Sequence, residues 1–232
     1  MVGVSLGSCG MNLCMRINNC FGLAGAREFG SGPCSYRRGH VAWVVFVILC
    51  VSPCWAFDET DLQKLKLVNH CVECDLTGAN FSNTDLSGVD LRGADLVNAD
   101  FRQANLKGID LRGAFLMESD LAEANLISAD FFMANLTSTN LESANLHDVD
   151  FSKANLTEAN LTDAILTNAH FYSANLTRAQ FGEANLTGAY FFQADLTGAN
   201  LSDALLGNSD FEGAIFCGTM MPWGIDDSSC PK

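Results

Sequence analysis

Beyond residue 56 the residues with chemistry to offer are three histidines, four cysteines and a row of aspartates. His70, His147 and His170 fall far apart along the chain. No Ser–His–Asp set, Gly-rich phosphate loop or HExxH run accompanies them, so no catalytic residue and no cofactor is nominated. Cys71 and Cys74 have the spacing of a redox motif but lack a βαβ setting, and Cys217 and Cys230 form a second local pair. Each pair is a candidate disulfide in an oxidising compartment. The two pairs stand at opposite ends of the array described below, which argues against a shared four-cysteine metal site.

A spacing of twenty connects the other candidates. Asp90, Asp110, Asp130 and Asp150 are followed at that interval by His170, Tyr190 and Asp210. If they share one outward column, neighbouring carboxylates repel by about 1 kcal/mol per exposed pair in water. Arg92 and Arg112, two residues on, can offset that repulsion. A cation ladder is the other reading. Calcium normally takes six or more oxygens and a flat column supplies few, so no metal is assigned. Phe132, Tyr172 and Phe192 recur on the same spacing, with Met133, His170 and Tyr190 beside them and a break at Ser152. Two readings stay open here: a contiguous apolar strip that serves as a partner or dimer surface, or surface aromatics tolerated singly.

The elements that must position these residues come from a strict repeat. From Leu76 to Phe216 every fifth residue is Leu or Phe, 29 times without a break, and Ala stands two residues before it in 21 cases. A period of five fits neither a helix nor a flat strand. The chain must turn regularly so that each Leu or Phe faces one axis. Asp and Asn tolerate turn geometry, and Gly or Ser after the apolar residue eases the corner. Phe131, Phe151, Phe171, Phe191 and Phe211 lie twenty apart and should stack as one core ladder, with Phe81, Phe101 and Phe181 on the opposite side and Phe216 elsewhere. Phe115, Ile165, Leu205 and Ile215, apolar where Asp or Asn is the rule, are expected under the ends or at corners.

Repeats such as Ala79-Asn80-Phe81-Ser82-Asn83, Ala94-Asp95-Leu96-Val97-Asn98 and Ala199-Asn200-Leu201-Ser202-Asp203 resemble the pentapeptide-repeat family, with its A(D/N)LXX consensus. The resemblance implies an all-β fold, a right-handed quadrilateral β-helix with four repeats to each coil. Residues 75–218 then make about seven coils, stacked at about 4.8 Å. Residues 57–74 are read as an N-terminal cap carrying a short helix, with Asp58 or Thr60 as N-cap and Leu62, Leu65 and Val68 on its apolar face. Residues 219–232 are the C-terminal cap, where Met220, Met221, Pro222 and Trp223 can plug the last coil.

Residues 1–56 read as a targeting leader that is removed. Arg37 and Arg38 precede the apolar run VAWVVFVILCV, and Cys54 and Ala56 offer a small-residue cleavage site. The apolar run is short for a membrane span, and none is expected once the leader is gone. The CxxCDL start at Cys71 and the CGTMMPWG tail at Cys217 resemble exported pentapeptide-repeat proteins of cyanobacteria and plastids. That likeness implies a thylakoid-lumen or periplasmic address. The segment from Phe57 onward holds 9 of the 13 bases and 26 of the 27 acids. Such a charge excludes ordinary nucleic-acid binding, which needs basic surface to neutralise phosphates. The reading is an exported, non-enzymatic scaffold with a protein partner or a second copy and no small-molecule substrate. The resemblance also supplies one alternative, since some members of the family mimic DNA and occupy the DNA-binding saddle of gyrase. A cation-binding rod is the other.

Overall fold

The computed structural model describes residues 58–230. The expected leader, residues 1–56, and its expected cleavage site lie outside the described residues. The chain opens with helix α1, Glu59–Val68. Asp58 is its N-cap, its carboxylate accepting from the Thr60 N–H at 2.8 Å and the Thr60 hydroxyl at 2.7 Å. Those bonds satisfy donors that the first helical turn leaves without partners. Asn69 ends the helix in the left-handed conformation at φ 52° and returns its N–H to the Leu65 carbonyl. Leu62 and Leu65 are buried, but Val68 is 60 % exposed, against the expectation that it shares their face. At about 3.6 residues per turn, position 69 rather than 68 returns to that face, and there the helix has already stopped. The Asp58 N–H donates to the Asp75 carbonyl at 3.1 Å, and the Asp61 carboxylate accepts from the Asp75 N–H at 3.0 Å. Both bonds hold α1 against the first repeats.

From His70 onward the backbone pairs in parallel with itself twenty residues later, along four ladders. One runs His70, Asp90, Asp110 and on to Asp210; the others begin at Asp75, Asn80 and Asp85. The Leu76 N–H donates to the Asp95 carbonyl at 2.8 Å, and the Asp95 N–H to the Cys74 carbonyl at 2.9 Å, a pattern repeated up the array. Each ladder rung is a single bridge because a corner follows every Leu or Phe. There the Ala79 N–H closes a four-residue turn onto the Leu76 carbonyl at 3.0 Å, with Gly78 as third residue at φ 68°. A type II turn demands positive φ at that position. Glycine fills it in some repeats, while Asn83, Lys153 and Glu158 hold φ 56–60° in others.

The Asp and Asn that precede each Leu or Phe serve differently from expectation. They stand in the ladder, while others such as Asn83, Asn98 and Asp203 do take the left-handed corner. The side chains of the ladder residues cap the following turn: Asn80 accepts from the Ser82 N–H at 2.9 Å and Asn135 from the Thr137 N–H at 3.2 Å. Both are Asx turns, with the side chain copying a backbone carbonyl.

Inside, the Leu, Phe and Ala positions from Leu76 to Leu201 form one continuous buried core. Phe131 and Phe151 stack with ring centroids 5.0 Å apart, Phe151 and Phe171 at 5.4 Å, and Phe171–Phe191 and Phe191–Phe211 at 4.7 Å. Phe181 meets Phe171 and Phe191 edge-on, at 87° and 82°. Such perpendicular ring contacts are favourable because positive ring edges meet negative faces. Thr84, Ser119 and Thr139 replace Ala in the core, and each hydroxyl donates to a carbonyl. Buried polar groups are tolerated on that condition.

A hairpin closes the described chain: β1, Thr219–Met221, pairs antiparallel with β2, Gly224–Asp226. Of the four residues expected to plug the last coil, only Met221 is buried. Met220 continues the Asn200 ladder and is half exposed, Pro222 and Trp223 form the hairpin loop, and Trp223 is 72 % exposed. Strand alternation permits only one face of β1 to point inward. Leu206, Phe211, Ala214 and Phe216 are in consequence only partly covered.

Candidate interaction face

The sequence-nominated aspartates, arginines and aromatics fall on one face, carried by two outward columns either side of the inward column of Leu91, Leu111 and Phe131, with Met133 at the adjoining corner. In the lower coils that face is an ion-pair zipper. Asp90 accepts from Arg92 Nε at 2.9 Å and Nη2 at 2.8 Å, while the same Nε lies 3.6 Å from Asp110. Arg112 repeats this one coil up, 2.6 Å from Asp110 and 3.5 Å from Asp130. His70 closes the lower end, its Nδ1 3.1 Å from Asp90. The hydrogen bond from Arg92 holds the Asp90 carboxyl down at about 2, and that from Arg112 lowers Asp110. Asp130, where the arginines run out, goes the other way: burial raises it, and the neighbouring Asp150 adds to the effect.

Higher up the same columns turn aromatic, one from Phe132 and the other, past Asp150, from His170. Tyr172 and Phe192 stack at 5.7 Å with rings 6° from parallel, and His170 and Tyr190 at 5.0 Å. Met133, Tyr172 and Tyr190 are exposed, while Phe132 and Phe192 are half-buried. At the break opposite Ser152, Lys153 brings its ammonium 5.5 Å from the centre of the Phe132 ring. Sequence reading passed over Lys153. Its signal was a cation one position beyond the gap in the strip.

Sequence reading also passed over a second, shorter zipper on another face. Arg102 lies 2.7 Å from Asp100 and 3.7 Å from Asp120. Its Asp-x-Arg spacing is that of Asp90 and Arg92, so the signal was present. Beside it Ser82, Asn83, Arg102, Gln103, Ala122 and Glu123 line a shallow groove of about 300 Å³, where Gln103 donates to Glu123 at 2.8 Å.

The three histidines are not brought together. His147 engages Thr167 at 2.6 Å and Asp148 at 3.1 Å, away from both others. Phe115, Ile165, Leu205 and Ile215 prove to be exposed members of the bridge columns, not residues packed under the ends. Among the described residues no helix is long and apolar enough to cross a membrane.

The model of pentapeptide repeats matches in eight copies spanning residues 70–223, about two thirds of the chain. The chain belongs to the pentapeptide-repeat family. Members of this family fold as right-handed quadrilateral β-helices, and the four parallel ladders are that architecture's pairing pattern. Among solved structures, HetL of the cyanobacterium Nostoc, a pentapeptide repeat protein involved in heterocyst differentiation regulation, is 23 % identical with a TM-score of 0.40, covering 67 % of this chain and 90 % of its own. The plasmid-mediated fluoroquinolone resistance protein QnrB1 is 20 % identical with a TM-score of 0.37, over 62 % and 80 % of the two chains. A pentapeptide repeat protein of the Arabidopsis thaliana thylakoid lumen is 27 % identical with a TM-score of 0.18, over 60 % and 66 %. No curated protein matches the chain.

The cysteines of this pentapeptide-repeat chain sit at disulfide-bonding distance in two local pairs, Cys71 with Cys74 and Cys217 with Cys230. Asp61 joins the first pair and Asp227 the second, the two places among the described residues where such side chains converge closely enough to hold a metal ion. Sulfurs bonded to each other are not thiolate ligands, so the paired state leaves each cluster a single carboxylate.

Proposed function

We propose that this protein is an exported, non-enzymatic scaffold that contacts a protein partner through the aromatic half of its zipper face. One observation carries the reading. The column that holds Arg92 and Arg112 below, each tied to two aspartates, presents Phe132, Tyr172 and Phe192 above, and Tyr172 is 43 % exposed. Clustered outward aromatics are characteristic of interface cores.

Export is supported by the Arg37-Arg38 apolar run ahead of residue 57 and by the pairing of cysteines at the two ends of the array. A thylakoid lumen or a periplasm is the compartment such features fit. In this reading residues 57–74 and 219–232 are caps on the helix of repeats, and α1 shields the lower edge from pairing with other chains. A gyrase-type DNA mimic would have to share the compartment that holds DNA, which an exported protein does not. A cation-binding rod would need six or more oxygens at one ion, and in the lower coils Arg92 and Arg112 already engage the Asp90 and Asp110 carboxylates.

The test replaces Phe132→Ser, Tyr172→Ser and Phe192→Ser together. Loss of a partner captured from the native compartment, or of self-association in sedimentation, with unchanged circular dichroism, is the expected result. Unchanged capture and unchanged sedimentation would overturn it.

A further inference from the structure

The aromatic half-face carries acids at its two ends and at its gap. Asp130 stands beside Phe132 in the lowest aromatic coil and Asp150 one coil up, beside the break at Ser152; above Phe192 stand Asp210 and Glu212. Asp150 accepts only from the Ser152 N–H among the contacts of its carboxylate, at 2.8 Å, and Asp210 from the Glu212 N–H at 2.9 Å. Among the described residues neither meets a cationic side chain. Asp130 has only the far side of Arg112, at 3.5 Å. Lys153, the base within the strip, is turned over the Phe132 ring.

We infer that this face docks a polypeptide segment with basic residues at both ends of an apolar stretch. The segment would run along the stack of coils. Its apolar side chains would lie on Phe132, Tyr172 and Phe192, one cation would meet Asp130 and Asp150, and the other would meet Asp210 and Glu212. The inference rests on the partner reading above and adds the partner's chemistry. Charge selects that occupant. A second copy of this chain would set acid against acid, an anionic membrane or nucleic acid likewise, and a neutral apolar segment would leave both carboxylate clusters desolvated and unpaired. Spacing selects it further. Asp130 and Asp210 are four coils apart, about 19 Å at about 4.8 Å per coil, which an extended segment spans in about six residues. Each of the partner's cations then falls about six positions from the other.

The experiment uses the full chain and three synthetic peptides labelled for fluorescence anisotropy: one with Lys at both ends of a five-residue apolar stretch, one with both Lys at the same end, and one with Glu at both ends. The first should bind most tightly and weaken as salt is raised. Asp150→Asn with Asp210→Asn should weaken it by about tenfold and flatten the salt dependence, and the triple Phe132→Ser, Tyr172→Ser, Phe192→Ser variant by at least as much. Circular dichroism establishes that each variant is folded. Equal binding of all three peptides, or no binding of any, or indifference to the aspartate pair, overturns the charge assignment. If the triple variant meanwhile loses its native partner, the partner reading survives that failure. Self-association abolished by the triple variant identifies a second copy as the occupant and likewise overturns the assignment. A native partner that the triple variant retains sinks the partner reading itself.

Discussion

Arg112 ties two successive coils together: its Nη2 lies 2.6 Å from the Asp110 carboxylate and its Nε 3.5 Å from that of Asp130. An aspartate ladder that would repel itself is thereby cross-linked by charge. The cost of removing the link follows. Exposed ion pairs are worth about 0–1 kcal/mol each. Arg112→Gln should therefore lower stability by about 1 kcal/mol at low salt and by less at high salt, where the repulsion it uncovers is screened. Thermal melts at two ionic strengths check this, and a loss that grows with salt would contradict it.

Acid should loosen the lower half of the array first. The folded value of Asp90, about 2, lies below the ordinary 3.8. Its contribution is fully present above pH 4 and is lost as the pH falls toward 2. Asp110 acts in the same sense. Asp130 is raised by burial, so protonating it relieves a cost, and its contribution grows as the pH falls. Stability measured between pH 5 and 2 should decline, and Asp90→Asn should flatten that decline.

Asp130→Asn supplies the opposite sign at neutral pH. The amide oxygen keeps the bond from the Phe132 N–H, 2.9 Å in the wild type, and removes a partly buried charge beside Asp150. Stability at pH 7 should rise or stay within about 0.5 kcal/mol. A clear loss in a denaturant titration would mean that Arg112 depends on this carboxylate more than its distance implies.

Truncating the ring ladder should be far more costly than either charge change. Phe151 stands between Phe131 and Phe171, at 5.0 and 5.4 Å, and is fully buried. Phe151→Ala should cost about 3–5 kcal/mol, because stacked coils held by backbone ladders cannot collapse into the cavity. Equilibrium unfolding in guanidinium measures it.

Two glycines separate conformational from steric effects. Gly113 is the third residue of its turn at φ 66°, with open space where a Cβ would stand. Gly113→Ala should cost about 1 kcal/mol through backbone strain alone. Gly182 has no such φ, and an added Cβ meets Thr162 no nearer than 3.9 Å. Gly182→Ala should be neutral or stabilise by about 0.4–1 kcal/mol by restricting the unfolded chain. Paired melting curves decide both, and equal effects would contradict the turn assignment.

Much of this molecule is legible from residue order because its contacts are periodic. Once Leu or Phe recurs every fifth residue, the pairing of Asp90 with Asp110 or Phe131 with Phe151 follows by counting twenty. The two outward columns and the arginines able to offset the aspartates follow by the same count, whereas the cysteine pairs are read from their closeness in the chain. Counting fails where the period breaks. Val68 leaves the buried face because α1 stops one residue short of the next inward angle. Trp223 is exposed because the tail folds back as a hairpin instead of continuing the coil. Nor can spacing alone say that Asp and Asn cap the turns from the ladder, that Phe181 packs perpendicular to two stacked rings, or that Lys153 turns over Phe132. Those outcomes depend on side-chain rotamers and on what the coils above and below leave room for. The period therefore fixed which residues are neighbours, through the backbone's repeated turn. Only packing in three dimensions decided which neighbours neutralise one another and which remain open to a partner.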